Sequence, residues 1–255
     1  MNRRAFTLIE LLVVISVVSL LMAILMPALA KARQQGKSSL CQSNLRQLGI
    51  AAQMYANNND GYYPIAYMND PDLTDTISIM SYWDFIHTNN WDANERKIEP
   101  GILWQGETTQ KIQQCPVFKG SANSDDPYTG YNYNISYIGH GDREIITVPA
   151  RASEVKKPGR CALFGDGEYA DGANKFMRSP WKSKWDSTWF RSAGTQGFRH
   201  DGRTNVAWCD GHVSSQSECY TETLPDEKEK IERYNQTSKI KVGFLSPDDS
   251  AYSLQ

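Results

Sequence analysis

Apolar and polar positions divide this chain unevenly. Residues 5–30 form one apolar run, AFTLIELLVVISVVSLLMAILMPALA, broken by a single charge at Glu10. About 25 helical residues at ~1.5 Å each span ~37 Å, enough to cross a hydrocarbon core of ~30 Å with some tilt. The apolar core of a secretory signal is only ~7–15 residues long, so this run predicts a helix that stays in the membrane. Everything after it is compatible with water.

Residues 31–56 continue as a predicted amphipathic helix. Cys41, Leu45, Leu48, Ala52 and Tyr55 recur at spacings that place them on one face, with Lys37, Gln42, Arg46 and Gln53 off it. Such a stripe reads as core, packed onto a sheet. The run Asn57-Asn58-Asn59-Asp60-Gly61 then ends the helix, because Asn and Gly tolerate the left-handed cap conformation.

Residues 61–255 read as short strands separated by turn signals. RCALFG at 160–165 is a candidate buried strand ending at Asp166-Gly167. Residues 195–217 read as a meander with turns at Asp201-Gly202 and Asp210-Gly211. Residues 225–236 read as a charged surface helix, and the tail 246–255 is expected to be loose. The fold class expected is α+β: one long N-terminal helix packed on an antiparallel β-sheet head.

Two residues do not suit a plain anchor. Glu10 in a membrane helix costs roughly 2.5–3.5 kcal/mol near the centre, which calls for a partner or for a place at the interface where it snorkels. Pro27 lacks the amide of a helix-interior residue, and either kinks the helix or marks its exit from the membrane. Arg3 and Arg4 before the run and Lys31, Arg33 and Lys37 after it do not fix topology by charge alone.

The segment Ala5-Phe6-Thr7-Leu8-Ile9-Glu10-Leu11-Leu12 resembles the processing site of type IV pilins and type II secretion pseudopilins. The resemblance implies that a prepilin peptidase cuts between Ala5 and Phe6 and that Phe6 becomes the methylated first residue. Before the cut the family usually has Gly, where this chain has Ala5. Glu10 falls on the family's fifth mature position and Pro27 on its twenty-second, which is often proline. The pattern of residues 41–64 resembles a subgroup of large pilin-like proteins with a C-terminal H-x9-DG motif. Here His200 is followed by nine residues and then Asp210-Gly211.

The organisation implied is a leader at 1–5, a transmembrane helix at 6–30, its amphipathic continuation at 31–60, and a periplasmic head at 61–255 with the H-x9-DG segment at 200–211. The resemblance places the N-terminus in the cytoplasm and the head outside the bacterial inner membrane. Expected partners are prepilin peptidase, other pilin or pseudopilin subunits and inner-membrane lipid. Glu10 of one subunit would pair with the terminal amine of its neighbour and so set the register of docking.

Net charge is −2, which offers no basic patch for nucleic acid. The five cysteines, Cys41, Cys115, Cys161, Cys209 and Cys219, form no C-x-x-C pair and do not read as a zinc site. In an exported head one or two disulfides fit, with one thiol left over. Asp166, Asp210 and His212 are candidate metal ligands if the 161–165 strand lies alongside; otherwise they shape turns. Tight turns would hold His200 and Asp210 about 20 Å apart at opposite ends of one strand. Calcium is the cofactor to consider, and otherwise none. No nucleophile–base pair stands out, so the chain is not expected to be an enzyme. Trp181, Trp185 and Trp189 recur every four residues; on a helix they would form a stripe, either packed on the head or exposed as a subunit or sugar surface. The second reading is therefore an anchored recognition protein for glycan or another polymer.

Overall fold

A computed structural model describes residues 7–69, 76–105, 110–123, 125–142, 144–169, 172–184, 186 and 194–255. Helix α1 spans Leu8–Asn58, 51 residues or roughly 77 Å of axis. Thr7 caps it. The Glu10 amide donates to the Thr7 hydroxyl at 3.3 Å, and the Glu10 carboxylate accepts from the Thr7 amide at 2.9 Å. This reciprocal pair satisfies two donors that a bare helix start would leave open. Pro27 lies inside α1, and the helix continues on both sides of it. Asp60 and Gly61, both at positive φ, turn the chain away after Asn59, and the Gly61 amide donates to the Ala56 carbonyl at 2.8 Å.

The two halves of α1 live in different surroundings. From Thr7 to Lys37 every residue is exposed. From Cys41 onward one face is buried: Cys41, Leu45, Leu48 and Ala52 are each 0% accessible. Full burial of a leucine contributes roughly 1.5–3 kcal/mol, so this stripe is what holds the helix on the head.

The head contains a four-stranded antiparallel meander of β1 (Tyr67–Asn69), β2 (Ile77–Tyr82), β3 (Phe85–Asn90) and β4 (Glu95–Pro100). A second sheet holds β5 (Asn132–Asn134), β6 (Ala162–Gly165), β7 (Phe176–Met177), β9 (Thr204–Trp208) and β10 (Val213–Gln216) in the order β10-β9-β6-β5-β7. Its pairings are antiparallel except β5 with β7. A third pairing joins β8 (Gln196–Gly197) to β11 (Val242–Gly243). The five-stranded sheet is covered on both faces. Along β9, Ala207 and the following Cys209 join the cluster against α1, while Val206 and Trp208 join the one formed with Ile231 and Tyr234 of α2 (Pro225–Thr237). The period of two in a strand produces this division.

The C-terminal tail departs from the loose segment expected. Asp249–Ala251 form a short 3-10 turn, and Tyr252 is fully buried. Its carbonyl accepts from the Asn134 amide group at 2.9 Å and from the Cys161 thiol at 3.2 Å. The Tyr252 ring and these internal donors supply the anchorage that the polar composition of the tail does not suggest.

Candidate functional site

The N-terminal site is the start of α1. Ala5 and Phe6 lie outside the described residues. Glu10 is exposed, on a helix whose neighbouring Leu8 and Ile9 are 79% and 72% accessible. A carboxylate and an uncovered apolar surface thus share the same turns. No described residue of the head shields them.

In the head, the hairpin signals become real turns. Asp201 and Gly202 both adopt positive φ, and His200 and Arg203 exchange backbone hydrogen bonds at 3.0 and 3.2 Å, as a primed two-residue turn requires. At the other end of β9, Gly211 has φ +88° and its amide donates to the Trp208 carbonyl at 2.9 Å. Asp210 accepts from the His212 amide at 3.0 Å and pairs with its Nδ1 at 2.6 Å. The His212 amide and imidazole hold the Asp210 carboxyl below its usual range, outweighing the upward push of its slight burial.

The proposed trio of Asp166, Asp210 and His212 does not assemble. Gly165 pairs with Val206 and Ala162 with Trp208, so Asp166 lies against Asn205, at the far end of β9 from the Asp210 turn. Asp166 meets His200 instead. Its Oδ2 lies 3.2 Å from His200 Nε2 and accepts the Asn205 amide at 2.7 Å. Its Oδ1 receives the Cys41 thiol at 3.1 Å and an Arg199 N–H at 3.3 Å. Cys115 Sγ stands 3.8 Å from His200 Nε2 and accepts Arg199 Nε at 3.3 Å. Arg199 also binds Glu168 at 2.8 Å and the Gly130 carbonyl. All of these side chains are buried or nearly so.

Charge sets the protonation of this group. Burial opposes ionisation of Asp166, but Arg199, His200 and the Asn205 amide hold its carboxyl below the usual range. Burial disfavours the His200 cation, yet hydrogen bonds to Asp166 and Cys115 raise it to about 9. Burial also opposes a Cys115 thiolate, but the Cys41 thiol and the Arg199 cation win, and its thiol lies well below the ordinary value. Burial drives Cys41 the other way, well above it.

Two further buried ion groups brace the head. Lys175 bridges Asp84 at 3.1 Å and Asp126 at 2.8 Å, with His87 on the far oxygen of Asp126 at 2.7 Å. Arg178 joins Glu144 at 2.5 Å to Asp186 at 2.9 Å. The cysteines are unbridged. Cys41 lies beside Cys115, Cys161 beside Cys209, and Cys219 elsewhere. Trp181 is half-exposed and sits outside any helix, its indole donating to the Pro247 carbonyl at 3.0 Å; Trp185 and Trp189 lie outside the described residues.

Residues 1–26 match the family described as the prokaryotic N-terminal methylation motif. This chain begins with a prepilin-type signal. That signal contains Ala5, Phe6 and Glu10, and it opens the one helix among the described residues long and apolar enough to cross a membrane. Signal and helix together are consistent with membrane anchoring. Comparisons with curated proteins and with solved structures find no match. The match to the prepilin-type signal ends at residue 26 and reaches neither residues 41–64 nor the H-x9-DG residues His200, Asp210 and Gly211.

Sequence reasoning singled out Asp166 and His200 but missed Cys41, Cys115 and Arg199 as their companions. Cys41 was visible only as a core position of the stripe. The one available cue was a thiol, rather than an aliphatic side chain, at the first buried turn of α1.

Proposed function

We propose that this chain is a structural pilin-like subunit, cut by prepilin peptidase and assembled into a type II secretion-like pseudopilus or a type IV pilus. The observation that carries this reading is the prepilin-type signal at the head of a helix whose first half is uncovered by its own fold. A helix apolar all round is stable only in lipid or against other helices. It passes from one environment to the other when a subunit moves from membrane to filament.

Glu10 gives that transfer its register. Removal of residues 1–5 leaves a cationic amine on Phe6, one residue before the Thr7 amide that the Glu10 carboxylate already accepts at 2.9 Å. In a low-dielectric bundle an unpaired charge is strongly unfavourable, so a neighbour's amine and Glu10 favour one docking position. The N-terminus lies in the cytoplasm before transfer, and the head lies beyond the inner membrane. The head acts as a rigid, non-catalytic body carried by the second half of α1. In the native host, Glu10→Val should leave the subunit in the membrane and deplete it from sheared filaments. Normal incorporation of the variant contradicts the docking role.

An anchored recognition protein is the second reading. An open cavity of about 420 Å³ lined by Tyr67, Tyr82, Tyr169, Phe176, Asn69 and Asn174 favours it, since aromatic faces beside amides suit sugars. Saturable glycan binding lost on Phe176→Ala, with filament incorporation unaffected by Glu10→Val, would support it over the first.

A further inference from the structure

The four donor atoms that meet where α1 enters the head come from four separate segments. Cys41 is the first buried residue of the helix. Cys115 comes from the loop before Pro116, Asp166 from the end of β6, and His200 from the position before the Asp201-Gly202 turn. Their ligand atoms all lie within 4.8 Å of one another. We propose that Cys41, Cys115, Asp166 and His200 form a tetrahedral site for a divalent transition-metal ion of the zinc class, which fastens the membrane helix to the head.

The distances fit a small cation. Zinc bonds of ~2.3 Å to sulfur and ~2.0–2.2 Å to nitrogen or oxygen give tetrahedron edges of roughly 3.3–3.8 Å. The observed separations are 3.1 Å for Cys41 Sγ to Asp166 Oδ1, 3.2 Å for Asp166 Oδ2 to His200 Nε2, and 3.8 Å for Cys115 Sγ to His200 Nε2. These separations use both Asp166 oxygens, and with the four donor atoms lying within 4.8 Å of one another, closing the site draws the widest pair together by up to about 1 Å. Two thiolates, a carboxylate and an imidazole are donors that a borderline-soft ion selects, and calcium, an oxygen seeker, does not.

The surroundings support the ligands. Arg199 donates to both Cys115 Sγ and Asp166 Oδ1, and the Asn205 amide donates to Asp166 Oδ2. Such outer donors fix ligand orientation and disperse ligand charge. Two thiolates, Asp166 and Glu168 carry −4 against +2 on the ion and +1 on Arg199, so the ion and Arg199 offset all but one of the charges. Glu168, on the outer side of Arg199, accepts the Tyr234 hydroxyl at 3.3 Å. With all four positions filled by protein, the ion has no open coordination place. Its role is to hold α1, not to activate water.

Full-length chain in detergent, reduced and stripped with a chelator, is titrated with cobalt(II). The expected result is one equivalent bound, with sulfur-to-cobalt absorption and the visible bands of tetrahedral cobalt, both abolished by zinc(II). Cys41→Ser and Cys115→Ser each weaken the sulfur band to about half or abolish it with binding, while Cys161→Ser and Cys219→Ser retain it in full. X-ray absorption at the zinc edge of the unmodified chain should give two sulfur neighbours at ~2.3 Å and two lighter ones, a readout that requires no variant to fold. A folded, reduced chain without the sulfur band, or with a zinc shell lacking sulfur, overturns the proposal. So does a band weakened by Cys161→Ser but not by Cys41→Ser. A Cys41–Cys115 disulfide in peptides from native membranes isolated without reductant overturns it as well.

Discussion

Cys41 and Asp166 stand 125 positions apart and meet at 3.1 Å, on the first turn of α1 that the head covers. The contact ties α1, whose first half is long and apolar enough to cross a membrane, to the sheet that shapes the head. Around it, Arg199 acts as the hub, touching Cys115, Asp166 and Glu168 at once.

Removing that hub should be costly. Arg199→Met leaves Glu168 buried without its cation and Asp166 with His200 alone, and loss of one member of a buried ion group destabilises by roughly 3–5 kcal/mol. Denaturant unfolding of the full chain measures this. A loss under about 1 kcal/mol would mean that water or rearrangement satisfies both carboxylates, and that Arg199 is not the organising charge.

The two halves of α1 should answer differently to the same change. Leu45→Ala and Leu48→Ala each open a cavity in the core and should lower stability by about 2–5 kcal/mol. Leu25→Ala, on the uncovered half, should leave unfolding of the head unchanged within about 0.5 kcal/mol. Equal effects at Leu25 and Leu45 would contradict the division between an anchoring half and a packed half.

That division was legible in the sequence, because an unbroken apolar run and a one-sided stripe differ in period. Cys41, Leu45, Leu48 and Ala52 are buried together as their spacing implies, while Tyr55, the last position of the stripe, is only half-buried. Asp201-Gly202 and Asp210-Gly211 were legible too, since positive φ selects Gly and tolerates Asp. The cluster at Asp166 was not. Cys41, Cys115, Asp166 and His200 share no local spacing and are assembled only by the register of β6 on β9 and by the seat of α1. The same register separates Asp166 from Asp210. Burial of the tail escaped notice because it depends on one residue, Tyr252, inserted between elements distant in sequence.

The Asp210 turn gives a modest prediction. Asp210→Ala removes the acceptor for the His212 amide and imidazole and should lower head stability by roughly 1–2 kcal/mol. An unchanged melting temperature would mean that Gly211 alone sets the turn.

His140 gives a pH prediction. Burial holds its imidazole below the ordinary value, against the raising influence of Asp186, Glu144 and Glu154 and with the help of Arg178. A depressed folded value means that the stabilisation is complete above about pH 6.5 and is lost as pH falls toward the folded value. Melting temperature should therefore decline as pH drops from about 7 to 5.5, and less so in His140→Asn, which has no group that titrates in this range. Identical slopes in the two proteins would show that another group is responsible.

The central claim is that the prepilin-type signal is processed. The direct measurement is the mass of the N-terminal peptide of the protein recovered from its native membrane. A peptide that begins at methylated Phe6 is the predicted result. One that begins at Met1 would contradict processing and leave α1 as an ordinary anchor, with the head's binding properties to account for the function.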